Sequence, residues 1–195
     1  MSPARAYRPG RRKDASSGTR GQIVGAVGSL LEEGRFHEAT VAEVAELARV
    51  SRATLYQHFG SRLGLVDAIC ETLAEGDELK LLKRAAEAED PDEALGGLIA
   101  GSVRFWSVHE RILAPLYGVA AVDEAAARLV ARQRDDRRRV TSALARRLDP
   151  GARTAALLLV LTSFETYLEL RRHARLSERE VVRTLQAWAR LQIRT

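Results

Sequence analysis

The sequence predicts an all-α protein with an N-terminal three-helix domain that contains a helix-turn-helix, followed by a C-terminal helical bundle. Alanine, leucine and arginine dominate the 195 residues and only five are proline, which favours helices over strands. Two short helical patterns also follow one another closely between Thr40 and Phe59. Apolar residues recur with helical spacing along the rest of the chain, so about nine helices are expected in all.

Composition limits where the protein is expected to act. Hydrophobic residues make up 46% of the chain, yet no run of 18 apolar residues occurs, so no transmembrane helix is expected. The N-terminus lacks an apolar signal segment, and the single cysteine, Cys70, excludes an intramolecular disulfide. These features indicate a cytoplasmic protein without a membrane partner. Cys70 falls on the apolar stripe of a helix and is expected to be a small buried residue.

The net charge of +5 lies entirely near the N-terminus. Residues 1–20 carry six basic side chains and one acidic side chain, so the remainder of the chain is neutral overall. Prolines, glycines and serines accompany these charges, and this composition predicts a disordered basic arm over residues 1–18. Such an arm can follow a phosphate backbone or enter a minor groove, and a solubilising tail is the alternative.

The first helix is predicted over residues 19–33 and ends at Gly34, a typical C-cap residue. Phe36 is expected to close a small core from the loop that follows. The apolar residues of this helix recur at i, i+3, i+4, i+7 and i+8, and therefore share one face. They are Ile23, Ala26, Val27, Leu30 and Leu31.

The segment from Thr40 to Phe59 has the layout of a helix-turn-helix, whose second helix can enter a DNA major groove. Thr40 and Ser51 are each followed by a helical pattern and are predicted N-caps. Leu55 and Phe59, four residues apart, give the second helix a narrow inner stripe. In the first of these two helices, the inner face is formed by Val41, Val44, Ala45 and Ala48.

The outer face of the second helix follows from a rotation of about 100° per residue. Gln57 lies almost opposite Leu55 and Phe59, and Ala53 lies one turn before it. Glutamine can pair with adenine through two hydrogen bonds, and an alanine methyl can contact a thymine methyl, so these two residues are predicted base readers. The polar residues beside them suit phosphates or groove edges. These are Arg52, Thr54, Tyr56 and His58.

Residues 19–66 resemble the N-terminal domain of the TetR family of transcriptional repressors. The matching motifs, in order, are Thr19-Arg20-x-x-Ile23, Glu32-x-Gly34, Ala39-Thr40, Ala48-x-Val50-Ser51, Thr54-Leu55-Tyr56-x-His58-Phe59 and Ser61-Arg62-x-x-Leu65. Two positions depart from the family pattern, because Arg49 stands where glycine is usual in the turn and Ala53 where glycine is common. Arg49 must tolerate the turn geometry, and the methyl of Ala53 could change base preference.

The resemblance implies which residues contact DNA and what the rest of the chain does. By position, the implied DNA contacts are Thr40, Ser51, Arg52, Ala53, Thr54, Tyr56, His58 and Arg62, with Arg62 as a phosphate-binding residue. Residues 67–195 would then form a ligand-binding and dimerisation domain. In this family a small molecule enters the C-terminal bundle and changes the separation of two DNA-binding domains, so an operator, an effector and a second copy are the implied partners.

After Phe59 the sequence continues as helices. One is expected over 62–87 with a bend at Gly76, one over 91–108, and a short segment over 110–119 that Pro115 should end or kink. A long arginine-rich helix is expected over 122–148. The next helix carries the apolar run 155–161, which predicts burial on nearly every side. Ser177 and Glu180 form a capping box that begins the last helix.

The last two helices are candidates for a dimer interface. One is apolar all round, and the other carries Val181, Leu185 and Trp188 at i, i+4 and i+7. The resemblance implies that these helices pair with a second copy as a four-helix bundle. The alternative is that the same residues complete the core of a single chain.

Five residues of the bundle join aromatic area to a few polar tips and are candidate ligand contacts. They are Trp106, His109, Tyr117, Phe164 and Tyr167. Packing within the core is the competing interpretation for each of them.

An enzyme is not indicated. The four histidines are scattered, no metal-ligand spacing is present, and no nucleophile with its base can be selected, so no catalytic residue, metal or cofactor is expected. The alternative to a DNA-binding regulator is a helical interaction protein that keeps the fold without binding specific DNA.

Overall fold

The computed structural model describes residues 10–36, 38–149 and 152–193, with only the backbone described for 10–17, 63, 66, 74, 75 and 125. Over these residues every regular element is helical, and the all-α prediction is confirmed. The chain divides into two compact units, one ending at Cys70 and the other beginning at Glu71.

Unit 1 is formed by three helices and the start of a fourth. These are α1 (Gly10–Glu32), α2 (Val41–Leu47), α3 (Arg52–Phe59) and α4 (Arg62–Glu75). The predicted inner residues of α1 are buried except for Ala26, and Phe36 closes the core from the loop as expected. Further buried residues come from α2, α3 and α4, namely Val44, Ala45, Leu55, Phe59, Leu65, Ala68 and Ile69.

The prediction of a disordered arm over residues 1–18 is corrected for residues 10–18, which form the first turns of α1. Arginine, lysine and alanine have high helix propensities, and no proline follows Pro9 within this segment, so a helix begun in the core can continue toward the N-terminus. Residues 1–9 of the predicted arm lie outside the described residues.

Unit 2 contains the end of α4 and the remaining helices. These are α5 (Asp77–Ala86), α6 (Pro91–Ala120), α7 (Glu124–Leu148), α8 (Ala152–Leu161), α9 (Phe164–Leu168), a π-helical turn (Glu169–His173) and α10 (Glu178–Ile193). Helix α6 packs against α5, α7 and α10 and is therefore central to this unit. The Asp90 cap with Pro91 at the helix start is present, and so is the Ser177–Glu180 capping box.

Two helix boundaries differ from the predictions. The expected helix over 62–87 is interrupted at Gly76, which has extended backbone angles and caps α5. Conversely, the predicted helices over 91–108 and 110–119 form one continuous helix, α6, which also continues through Pro115, where a break or kink was expected. The neighbouring residues Leu113 and Leu116 are fully buried, so core packing holds the helix where the missing proline N–H removes one hydrogen bond.

The C-terminal apolar residues divide between the core and the surface. In α8, Leu158 and Leu161 are buried but Val160 is 58% exposed, so the prediction of burial on nearly every side is wrong for the single chain. In α10, Val181 and Leu185 complete the core of unit 2, while Trp188 remains 47% exposed. Cys70 is half-buried, where a fully buried residue was expected.

Candidate nucleic-acid interface

Helix α3 has one buried side and one exposed side, as its sequence predicts. Leu55 is fully buried and Phe59 nearly so, which fixes the helix to the core of unit 1. Ala53, Tyr56 and Gln57 lie on the solvent side and are exposed. An exposed glutamine and alanine on a supported helix are the groups that can read adenine and thymine edges in a major groove.

Both ends of α3 are capped, which defines where the helix starts and stops. The Ser51 hydroxyl accepts a hydrogen bond from the Thr54 N–H at 3.0 Å, and the two hydroxyl oxygens lie 2.8 Å apart in a second hydrogen bond. Gly60 ends the helix with φ of 67° and donates its N–H to the Tyr56 carbonyl at 2.8 Å. These caps satisfy terminal backbone groups that would otherwise favour fraying.

The turn between α2 and α3 depends on a residue with left-handed backbone angles. Arg49 has φ of 54° and donates its N–H to the Glu46 carbonyl, while Val50 donates to the Ala45 carbonyl, both at 2.9 Å. This pair of hydrogen bonds is a Schellman motif, which usually has glycine at the Arg49 position. Arg49 therefore adopts the left-handed backbone conformation that glycine usually provides at this position of the turn.

Eight of the nine predicted DNA contacts lie at the start of α2 or on α3. Thr40 is exposed and caps α2 by accepting the Glu43 N–H at 3.2 Å. The others range from exposed to half-buried along α3: Ser51, Arg52, Ala53, Thr54, Tyr56, Gln57 and His58. Contact of these residues with DNA stays a prediction.

Arg62 differs from the other eight because its guanidinium contacts the protein. It donates to the carbonyls of Phe36 and Ala39, the latter at 2.8 Å, and lies 4.6 Å from the centre of the Phe36 ring. Sequence reasoning missed these contacts, since the partners are 23 and 26 residues upstream and no local spacing links them.

The five predicted ligand contacts come together in unit 2. The Phe164 ring lies 5.3 Å from Trp106, 4.7 Å from Tyr117 and 6.0 Å from Tyr167, measured between ring centres. His109 joins them through Phe105, whose ring contacts both His109 and Trp106. We refer to Trp106, His109, Tyr117, Phe164 and Tyr167 as the aromatic cluster.

Polar groups of the aromatic cluster are mostly bonded within the protein. The Trp106 indole N–H donates to the Thr162 carbonyl at 3.0 Å, and the Tyr167 hydroxyl donates to Glu110 at 2.7 Å. Burial raises the pKa of Tyr117 and of Tyr167. The buried Nε2 of His109 has no hydrogen bond and lies 3.8 Å from Glu78, and burial lowers the pKa of His109 despite that carboxylate.

A separate cavity of about 440 Å³ lies between α5 and α7. Four of its lining residues are apolar, three carry a cation and one carries a carboxylate. The lining residues are Lys83, Ala86, Glu87, Arg139, Val140, Ala143, Leu144 and Arg147. The sequence gives only a weak signal for this cavity. Four of its lining residues recur at i, i+3, i+4 and i+7 on α7, and core residues show the same spacing.

Among the described residues, no three histidine, cysteine or acidic side chains lie together as metal ligands would. The same residues contain no helix that is both long and apolar enough to cross a membrane.

Comparison with known proteins supports the interpretation of unit 1. Residues 25–69 match the family described as bacterial regulatory proteins, tetR family. The chain is 36% identical over 86 residues to the HTH-type transcriptional regulator TtgR of Pseudomonas putida, a match that covers 44% of this chain and 40% of the relative. The matched segment is therefore less than half the length of that curated relative.

Solved structures share the fold over nearly the full length. A TetR-like transcriptional regulator from Rhodococcus sp. RHA1 has a TM-score of 0.63 at 20% identity, covering 95% of this chain and 96% of its own. The TetR family transcriptional regulator PfmR from Thermus thermophilus has a TM-score of 0.58 at 19% identity, covering 88% and 97%. At these identities the similarity establishes the fold alone.

Proposed function

We propose that this chain, whose residues 25–69 match the tetR family of bacterial regulatory proteins, is a transcriptional repressor. We propose that it binds a palindromic DNA operator as a homodimer and is released by a small-molecule effector. The observation that carries the proposal is the outer face of α3. Gln57 and Ala53 are exposed there, while Leu55 and Phe59 hold the opposite side in the core.

The experiment measures binding to a labelled duplex that contains the DNA upstream of the gene encoding this chain, with a scrambled duplex of equal length alongside. Affinity for both should fall steeply as salt rises, because cations on the protein displace counterions from phosphates. Gln57→Ala should weaken binding to the specific duplex by about 1–3 kcal/mol and leave binding to the scrambled duplex nearly unchanged.

Gln22→Ala is the matched control, because it makes the same substitution at an exposed position of α1. Its affinity for both duplexes should equal that of the wild type. Binding that responds neither to salt nor to Gln57→Ala would contradict the proposal and favour a helical interaction protein.

Dimerisation is proposed through α8 and α10, which pack against each other. They leave Val160, Trp188 and Leu191 exposed at 58%, 47% and 67%. A second copy placed on this surface would bury them and provide a second α3. Two such helices reading half-sites about one helical turn apart bind far more tightly than one helix alone.

An effector is proposed to bind in unit 2 at the aromatic cluster. Release from DNA requires that the effector bind more tightly to the conformation with low DNA affinity. Aromatic side chains with a few polar tips are typical of such binding sites. A compound that lowers the operator affinity of the wild type should have less effect on Tyr117→Ala, because Tyr117 is half-buried at the edge of the aromatic cluster.

A further inference from the structure

The first turn of α4 connects parts of unit 1 that are distant in sequence. Arg62 lies there and extends its guanidinium to the loop between α1 and α2. Its Nη1 donates to the Ala39 carbonyl at 2.8 Å, its Nη2 donates to the Phe36 carbonyl, and the group stacks on the Phe36 ring at 4.6 Å from the ring centre. One side chain thus makes three contacts with a segment of four residues.

The segment that Arg62 contacts leads directly into α2. Ala39 precedes Thr40, the N-cap of α2, and both Phe36 and Ala39 are buried. Two carbonyls and a ring face suit a planar guanidinium, which donates through two nitrogens while stacking. A lysine ammonium can provide the same charge but neither the paired donors nor the stacked plane.

The same turn of α4 is also packed closely against the end of α3. A methyl group built on Gly64 would lie 1.9 Å from the Phe59 carbonyl oxygen, so only glycine permits this approach. The beginning of α4 is therefore in contact with the residues that precede α2 and with the residue that ends α3. The beginning of α4 can therefore help to hold both helices of the helix-turn-helix in place.

We propose that Arg62 is a positioning residue for DNA binding, which holds α2 and its N-cap Thr40 in place through the carbonyls of Phe36 and Ala39 and does not itself bind a phosphate. This inference rests on the proposed function, since it concerns how the DNA-binding surface is held. It replaces the phosphate contact that position alone would assign to Arg62.

The test compares Arg62→Lys, Arg62→Ala and Phe36→Leu in the full-length chain by titration with the operator duplex at several salt concentrations. All three should bind at least tenfold more weakly than the wild type, and the slope of log affinity against log salt should not change. Arg52→Ala is the control, because Arg52 is exposed on α3 and has no described partner. It should lower the magnitude of the slope by about 1.8, because the proposed dimer loses one phosphate contact in each protomer and each contact accounts for about 0.9.

The variants are assayed at a temperature where circular dichroism shows each to be fully folded. If Arg62→Lys retains wild-type affinity, or if Arg62→Ala reduces the salt slope as Arg52→Ala does, Arg62 is a phosphate ligand and the inference is overturned. Lower thermal stability with unchanged affinity would also overturn it. Failure of the wild type to bind DNA would overturn the proposed function and this inference together. If the wild type binds DNA, the results for the variants test this inference alone.

Discussion

Arg49 and Gly34 occupy equivalent places at the ends of two helices. Each follows a helix cap in a Schellman motif, with φ of 54° for Arg49 and 71° for Gly34. A side chain in this region of backbone space meets its own carbonyl group, and glycine avoids that contact. The turn of the helix-turn-helix thus retains a conformational cost that the end of α1 does not have.

We therefore expect Arg49→Gly to raise the free energy of unfolding by about 0.5–1 kcal/mol, because relief of the left-handed strain exceeds the entropy that glycine adds to the unfolded chain. Urea denaturation of the full chain measures the difference. Gly34→Ala, the reverse change at the equivalent position, should destabilise by a similar amount. A loss of stability in Arg49→Gly would show that the arginine side chain makes compensating contacts.

Residue-scale features are predictable from the sequence where they depend on near neighbours. The caps at Thr40 and Ser51 and the exposure of Gln57 follow from spacings of three or four residues, and the structure has them as predicted. The contacts of Arg62 connect residues more than twenty positions apart. Only the packed domain brings such groups together, so no local pattern could have indicated them.

At the scale of elements, α5 and α6 pack unusually closely. A methyl group on Gly97 would lie 2.7 Å from the Ala85 Cβ, and one on Gly101 would lie 3.0 Å from Leu82. His109 lies further along α6, with its buried Nε2 3.8 Å from Glu78 of α5. The same helix pair therefore contains both a close contact of backbones and a half-buried ionisable group.

This arrangement predicts a pH dependence of stability. Burial lowers the pKa of His109 below its ordinary 6.5, so the unfolded chain takes up the proton more readily than the folded chain. The stability contributed by neutral His109 is thus fully present when the pH is above the ordinary pKa of 6.5, and it declines as the pH falls below 6.5. Between about pH 7.5 and 5.5, the wild type should lose more unfolding free energy than His109→Gln.

Urea denaturation at each pH provides the measurement. His173→Gln is the control, because it makes the same substitution at an exposed histidine on the π-helical turn, away from α5. The control should retain the wild-type pH dependence. Equal pH dependence in the wild type and His109→Gln would show that His109 is solvated when protonated.

Helix boundaries show why element-scale prediction is incomplete. Pro115 is a strong local signal for a break, but the buried neighbours Leu113 and Leu116 hold α6 continuous through it. The reverse occurs at Gly76. Glycine allows a continuous helix but does not favour it, and the helix is interrupted there. At Pro115, tertiary packing therefore overrides the local preference for a break.

At the scale of the whole molecule, the all-α architecture follows from composition and periodicity, and the match of residues 25–69 to the tetR family follows from the motifs around α3. The division of apolar residues between the core and the exposed surface does not follow from these patterns. Val181 and Leu185 belong to the core, whereas Trp188 on the same predicted stripe is exposed. Helical periodicity of apolar residues shows only that they share one face of a helix. The same face can include both core positions and exposed positions that a partner could cover.

The proposed dimer gives a prediction at this scale. Leu191→Glu should shift the protein from dimer to monomer and weaken operator binding, because a symmetric interface contains the substitution twice. Burial of one leucine contributes about 1.5–3 kcal/mol, so the dimer should weaken by about 3 kcal/mol or more. Sedimentation velocity at several protein concentrations measures the change.

Leu81→Glu is the control for this experiment, because Leu81 on α5 is 63% exposed and Leu191 is 67% exposed. It places the same charge at an apolar surface position outside α8 and α10. The Leu81 variant should sediment as the wild type does. A monomeric wild type, or a dimeric Leu191→Glu, would contradict dimerisation through α10.

The chain contains two tryptophans in opposite environments, Trp106 nine-tenths buried and Trp188 half exposed. Their intrinsic fluorescence should consequently be separable. Emission from Trp106 should lie toward the blue and resist quenching by iodide, whereas emission from Trp188 should lie toward the red and be quenched. Assembly of two copies on α10 would remove the quenchable component, whereas a change at the aromatic cluster would alter the protected one, so a single unlabelled sample distinguishes the two.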